Sequence, residues 1–283
     1  MTEARVAVVS AVGLIRARNE DSAYAGRWLC AVADGVGGHS AGNVASATVV
    51  DAISSFDVFA EAGQLTTVLG SAVRAANSGL TARGDGVPKL TGMASTLTAL
   101  LWSGTHVGIA HIGDSRAYLL RGGALRQITE DHHLGNLVAA PMPGRIRGYL
   151  VRYLDARPGW SPDLTVRAVQ PGDRYLICSD GLSKFTSAEA IRDVLADRAE
   201  VAQAADDLVA LAYAAGAPDN VTVIVVDVPD GAWAERNASP AMAGAAAELA
   251  GKASPFAFRR RATAKRLTSR GGVRGRFLRG RWG

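Results

Sequence analysis

Short apolar runs, rich in β-branched residues and closed by glycine, aspartate or proline, recur along the first 228 positions of the chain. They are RVAVVSAVG (5–13), WLCAVADG (28–35), STLTALLWSG (95–104), HVGIAHIG (106–113), RAYLLRGGALRQI (116–128), LTVRAVQ (164–170), RYLICSDG (174–181) and NVTVIVVDV (220–228). Their length, side-chain type and punctuation predict strands. Within the fifth run, Gly122 and Gly123 stand between two apolar pieces, which predicts a two-residue hairpin. Other segments place Ala, Val and Leu at three- and four-residue steps and predict helices: Asn43 to Phe59, Leu65 to Leu80, Ser187 to Leu195 and Val201 to Ala215. Ser187 with Glu189 behind it is a helix start.

Two strands, two helices and then a run of strands do not alternate as βαβ units do. The order favours an α+β layered fold with antiparallel sheets over a doubly wound parallel sheet. Residues 134–163, with Pro141, Pro143, Pro158 and Pro162, read as loop with a short helix. After Pro229 the pattern stops. AMAGAAAELAGKA suits a short helix, and the Gly-interrupted basic stretch behind it has little to bury and is expected to be disordered. The predicted organisation is a folded domain over 1–229 and a basic tail over 230–283.

Composition narrows the class. With 283 residues, 48% hydrophobic and 20% charged, the chain is globular and long enough for a sizeable core. No apolar run reaches the ~18 residues of a membrane helix. The start, with Glu3 and Arg5, lacks the order of a signal peptide, so a soluble cytoplasmic protein is expected. Cys30 and Cys178 sit inside apolar runs and read as core thiols, which excludes a disulfide framework and a cysteine zinc finger. The net charge of +5 is uneven. Residues 230–283 hold 12 basic and 3 acidic side chains, leaving −4 for the rest, so the basic character belongs to the tail. Phe256, Phe258, Phe277, Leu278 and Trp282 interleave there with arginine, which suits contact with an acidic protein or a membrane surface; no specific nucleic-acid partner is expected.

The acids are placed where strands stop. Asp34 closes one run and opens Gly35-Val36-Gly37-Gly38; Asp114 does the same in HIGDSR and Asp180 in LICSDG; Asp219 precedes VTVIVV; Glu20 and Asp21 follow the first strand. A carboxylate at the mouth of a buried strand loses hydration and needs a cation, a donor or a raised pKa in return. With no matching set of lysines beside them, the acids point to hard, oxygen-ligated cations such as Mg²⁺ or Mn²⁺. Glycine beside Asp34 lets the Gly35 carbonyl approach an ion. Each acid alone also fits a turn, and Asp163, Asp173 and Asp227 are read that way. His111 is read as core, and His39, His132 and His133 as loop or turn residues.

Seven blocks in order then resemble the bacterial kind of PPM-type (type 2C) serine/threonine protein phosphatase: GLIRARNEDSAY (13–24), ADGVGGHSAGNVAS (33–46), GMASTLTAL (92–100), HIGDSRAYLL (111–120), ITEDH (128–132), GDRYLICSDGL (172–182) and PDNVTV (218–223). The resemblance implies a four-layer α-β-β-α sandwich with two central antiparallel sheets. It implies hydrolysis of phosphoserine and phosphothreonine in proteins, opposing a serine/threonine kinase, by a monomer holding two Mn²⁺ or Mg²⁺ ions and a weaker third. Asp34 would bridge two ions; Asp180 and Asp219 would complete one, Glu20 and the Gly35 carbonyl the other. Asp21 would support the bound waters, Asp114 would share the third ion with Asp180, Arg16 would bind the substrate phosphate, and Asn220 would orient the loop carrying Asp219. The chain departs from the pattern in having Val36 where many members have a histidine, and in a shortened flap, about 134–157, that lacks acids between Asp131 and Asp155. The flap departure implies weaker hold on the third ion. A silent phosphoprotein-binding module on the same fold is the alternative; it would have lost Asp34, Asp180 or Asp219, and all three are present.

Overall fold

The computed structural model describes residues 4–36, 41–137, 148–158, 161–228, 233 and 239–251. Twelve strands and seven α-helices fall within them. One sheet has five strands in the order β1 (Arg5–Ala11), β11 (Val221–Asp227), β10 (Arg174–Cys178), β7 (Arg116–Arg121) and β8 (Ala124–Gln127). The other runs β12 (Ala241–Gly244), β2 (Asp21–Ala25), β3 (Leu29–Val36), β5 (Leu97–Ser103), β6 (His106–Ile112) and β9 (Asp163–Ala168), with β4 (Ala94–Ser95) pairing to the end of β3. Neighbouring strands are antiparallel throughout.

Three apolar layers hold the sheets and helices together. Val8, Cys30, Val32, Trp102, Tyr175 and Ile224 fill the space between the sheets. Val49, Val50 and Ile53 of α1 (Gly42–Ser54) and Leu65 and Leu69 of α2 (Leu65–Gly84) pack on the second sheet through Leu97 and Leu101. Ile191 and Leu195 of α5 (Ala188–Asp197) and Leu208 of α6 (Val201–Ala214) cover the first sheet through Val9, Leu176 and Val223. Successive residues of β11 alternate between partners: Ile224 and Val226 face the other sheet, Val223 and Val225 face the helices. A strand buried on both faces has no reason to alternate in polarity, which is why the run VTVIVV is apolar throughout. The architecture is the four-layer α-β-β-α sandwich.

Most predicted elements stand. Gly122 and Gly123, both at positive φ, make the β7–β8 hairpin. The Ser187 hydroxyl accepts from the Ala190 amide at 3.2 Å and starts α5. The helix predicted to Phe59 ends at Ser54.

Two corrections concern the second sheet. Strand β2, DSAYA, was missed because Ala and Ser carry no β-branched signal, although all five residues are buried. The boundary at 229 is also displaced. Ala241 to Gly244 form an edge strand in register with Ala25 to Ser22, and α7 (Ala245–Leu249) puts Ala246 into the core against α1. The AMAGAAAEL segment is therefore half strand and half helix. Gly244 makes the switch at φ +67, where an added Cβ would lie 2.2 Å from the Asp21 carbonyl oxygen. The arginine-rich stretch of the tail, and Phe256 to Trp282, lie outside the described residues.

Candidate active site

The site forms where the sheets end side by side. Across the β2–β3 pair, Asp21 stands directly opposite Asp34. The Gly35 amide donates to the Glu20 carbonyl at 3.1 Å. Gly35 cannot carry a side chain, since a Cβ would meet the Gly42 carbonyl at 2.1 Å; the start of α1 rests on it. Asp114 occupies the turn between β6 and β7, Asp180 opens the short helix α4 (Asp180–Ser183), and Asp219 precedes β11. Asn220 ties three segments together. Its side chain accepts from the Glu20 amide at 2.8 Å and donates to the carbonyls of Val12 and Arg18.

Arg16, Glu20, Asp34, Gly35, Val36, Asp114, Gly148, Leu150, Asp180, Lys184 and Asp219 line one open cavity of about 370 Å³. Five carboxylates and two cationic side chains thus face one space. Beneath them Asp21 is 1% exposed and accepts from the Ser179 hydroxyl at 2.7 Å. The two cations are already engaged. Arg16 Nη2 lies 2.6 Å from Asp219 Oδ2. Lys184 Nζ lies 2.8 Å from Asp114 Oδ2 and 2.6 Å from Asp180 Oδ2.

The electrostatics follow from this crowding. Burial, then the charges of Asp21, Asp180, Asp114 and Asp219, hold the Asp34 carboxyl well above the ordinary carboxylate range. Burial pushes Asp21 up to about 7, against the hydrogen bonds of Ser179 and Thr222. Burial also raises Asp180 and Glu20, opposed by Lys184 and by Arg16 respectively. Asp114 goes the other way: burial opposes its charge, but Lys184 and His133 outweigh burial. The bond to Asp219 holds the Arg16 proton more firmly still.

The structure brings every sequence-predicted site residue to this place. It also corrects one premise, because a lysine does stand beside the acids. Lys184 is four residues after Asp180, the spacing that joins side chains along a helix, and that was its readable signal. His133, read as a turn residue, places Nε2 3.0 Å from Asp114 Oδ2. Ser179 and Thr222 were not singled out. His111 is buried, as read, and His132 is buried with Nε2 3.0 Å from Asp163. His39 lies outside the described residues.

The donor set suits a divalent cation in kind. It is all oxygen, it carries an excess of negative charge, and the Asp34 carboxylate takes no hydrogen bond from any described residue. Among the described residues, no three acidic, histidine or cysteine side chains are already disposed around one ion position. Asp219, Asp114 and Asp180 are instead drawn onto Arg16 and Lys184.

A layered α-β-β-α fold with carboxylates gathered at its sheet ends is the frame that known proteins share. The family pattern of protein phosphatase 2C matches residues 17–214, and the chain belongs to that family. It is 45% identical over 251 residues to the serine/threonine protein phosphatase PstP of Mycobacterium tuberculosis, covering 85% of this chain and 48% of that protein. This chain therefore spans about half the length of that relative. It is 32% identical over 232 residues to the serine/threonine phosphatase stp of Listeria monocytogenes, covering 76% of this chain and 92% of that one. The solved catalytic domain of PstP in complex with two manganese ions superposes with a TM-score of 0.75 at 46% identity, covering 80% of this chain and 99% of that one.

Proposed function

We propose that this chain hydrolyses phosphoserine and phosphothreonine esters in proteins, with two Mn²⁺ or Mg²⁺ ions held at the Asp34 cluster. The observation that carries the reading is Asp34 itself. It is a carboxylate surrounded by four others, without a hydrogen-bond donor among the described residues, in a cavity that also presents an arginine. Such a group is strongly disfavoured as an anion unless a cation joins it. Asp34 would bridge the ions, with Asp180 and Asp219 on one and Glu20 and the Gly35 carbonyl on the other. When bound, the ions supply a water acidic enough to be hydroxide near neutral pH, and positive charge against the phosphoryl oxygens.

The remaining work belongs to the chain. Arg16, now bonded to Asp219, would turn to the oxygens of the substrate phosphate, and Asp219 would then be one of the residues holding the ions. Both events draw on the same 2.6 Å bond, so substrate and metal loading help each other. Asn220 keeps Glu20 and Asp219 at fixed spacing by clamping the 12–20 segment to the start of β11. Asp21, anchored by Ser179 in the floor of the site, would support the waters bound to the ions. Cysteine takes no part: Cys178 is fully buried, and burial pushes its thiol up to about 12.

The substrates would be proteins phosphorylated by a serine/threonine kinase, met in the cytoplasm by a monomer. No described helix is long and apolar enough to cross a membrane. The basic tail would add contact with an acidic protein or membrane surface, testable by truncation after Gly251, which spares the edge strand.

The deciding experiment follows hydrolysis of p-nitrophenyl phosphate and a phosphothreonine peptide with and without Mn²⁺. Metal-dependent turnover that Asp34→Asn loses supports the reading. Full turnover by Asp34→Asn, or equal turnover with the metal chelated, overturns it.

A further inference from the structure

Lys184 and Asp114 both line the site, and the reaction above uses neither. The Lys184 ammonium bridges Asp114 Oδ2 at 2.8 Å and Asp180 Oδ2 at 2.6 Å. The arrangement is built from three directions. Asp114 is 5% exposed and also meets His133 Nε2 at 3.0 Å on the same oxygen. Asp180 is four residues away on the same turn of chain, and the Lys184 amide donates to the Asp180 carbonyl at 2.9 Å, so the tether is short. The ammonium is half sunk into the site, and the two acids hold its proton more tightly than usual despite burial.

We propose that Lys184 is a tethered counter-ion that fills the Asp114–Asp180 pair, so that this chain loads divalent ions around Asp34 and refuses a further ion at Asp114. The inference rests on the two-ion reading of the Asp34 cluster and adds to it a cause for the number. A free divalent ion entering between Asp114 and Asp180 would have to expel the ammonium and break the His133 bond. The lysine is covalently attached, so it competes for the pair at a local concentration fixed by its short tether, whatever the concentration of free ion. It also neutralises Asp114 while its contact with Asp180 is to one carboxylate oxygen, Oδ2. The missing acids of the 134–157 segment, from which weak hold on a third ion was expected, are then a secondary cause.

The test is metal stoichiometry, read by isothermal titration calorimetry and by loss of the free Mn²⁺ paramagnetic resonance signal, on the full chain and independently of turnover. Wild type should bind two Mn²⁺ ions and stay at two when Mn²⁺ is raised a hundredfold above saturation. Lys184→Gln should gain a third, weaker ion, and the Lys184→Gln/Asp114→Asn double variant should lose it again. Lys184→Arg, which keeps the charge at similar reach, should remain at two, and circular dichroism checks that each variant is folded. Three ions on wild type, or two on Lys184→Gln, would overturn the proposal while leaving the Asp34 centre in place. Failure of the Asp34 reading looks different, since wild type would then bind no ion that Asp34→Asn abolishes, and the lysine proposal would fall with it.

Discussion

The two ends of the five-stranded sheet treat charge in opposite ways. At one end, Arg174 and Asp227 face each other across β10 and β11, with Arg5 on the far side of Asp227. Arg174 Nη2 and Arg5 Nη2 each lie 2.8 Å from Asp227 Oδ2, and Arg174 Nη1 donates to the carbonyls of Leu195 and Arg198. Nearby, Arg121 grips Asp173 with two bonds of 2.6 Å. Asp227 and Asp173 are each matched by an arginine. At the other end, the same strands deliver Asp180 and Asp219 to a space already holding Asp34, Glu20 and Asp114, with two cations for five acids. A fold that can match its carboxylates at one end and leaves them crowded at the other is holding charge in reserve for a ligand.

The contrast breaks most sharply at Asp34. Asp34→Asn should lower kcat/KM at least ~1000-fold, about 4 kcal/mol of transition-state stabilisation. The metal-free variant should be at least as stable as wild type, because a repelling carboxylate has gone. Steady-state kinetics and denaturant unfolding in EDTA report both halves. A large loss of stability would place Asp34 with the structural acids.

Arg174→Ala is the mirror experiment. It leaves Asp227 half matched and three backbone carbonyls without their donor. Breaking such a buried pair costs ~3–5 kcal/mol. Urea midpoints should fall accordingly, while kcat per folded, Mn²⁺-loaded molecule stays within about twofold of wild type. Arg16→Ala should do the reverse on a smaller scale, raising KM about tenfold with little change in unfolding, since half of its side chain is in water.

How far the sequence already distinguished these ends depends on what kind of signal each residue carries. Asp34, Asp114, Asp180 and Asp219 were legible as a set, because each stands at a strand terminus where hydration is lost. Asp173 and Asp227 were legible as structural only by default, since Arg121 and Arg174 lie 52 and 53 residues away in sequence. Lys184 was within reach of an i,i+4 count from Asp180, but its bond to Asp114 spans 70 positions and no local pattern carries it. Strand β2 and the edge strand β12 were hidden by alanine, which is buried in sheets and helices alike. The spacing of acids identifies the chemistry, whereas the pairing partners are decided by topology.

Gly244→Ala probes the seam between the sheet edge and the site. The residue adopts φ +67, and a Cβ there would press on the carbonyl of Asp21, whose side chain floors the site. Strain and loosened pairing should cost ~2–3 kcal/mol. Hydrogen exchange should quicken in Ser22 to Ala25 and Ala241 to Gly244, the paired residues, and leave β10 and β11 unchanged.

The smallest effect is a pH dependence carried by His111, beneath the same turn that holds Asp114. Its Nε2 lies 2.9 Å from the Glu130 carbonyl and its Nδ1 2.9 Å from the Thr98 hydroxyl. Burial, then the neighbouring His132, lowers its pKa to about 4. In the unfolded chain the imidazole takes up a proton near its ordinary value of 6.5. Between those values the unfolded state binds more protons, so stability falls as pH falls from 6.5 toward 4. Asp21 and Asp34, with raised pKa values, push metal-free protein the opposite way over part of this range. The difference between wild type and His111→Gln cancels those shared contributions. Wild type should therefore lose ~1–2 kcal/mol more than His111→Gln between pH 7 and pH 5. Parallel stability curves for the two proteins would mean that His111 takes up its proton at the same pH in the folded and unfolded chains, and that burial of the ring does not hold its pKa down.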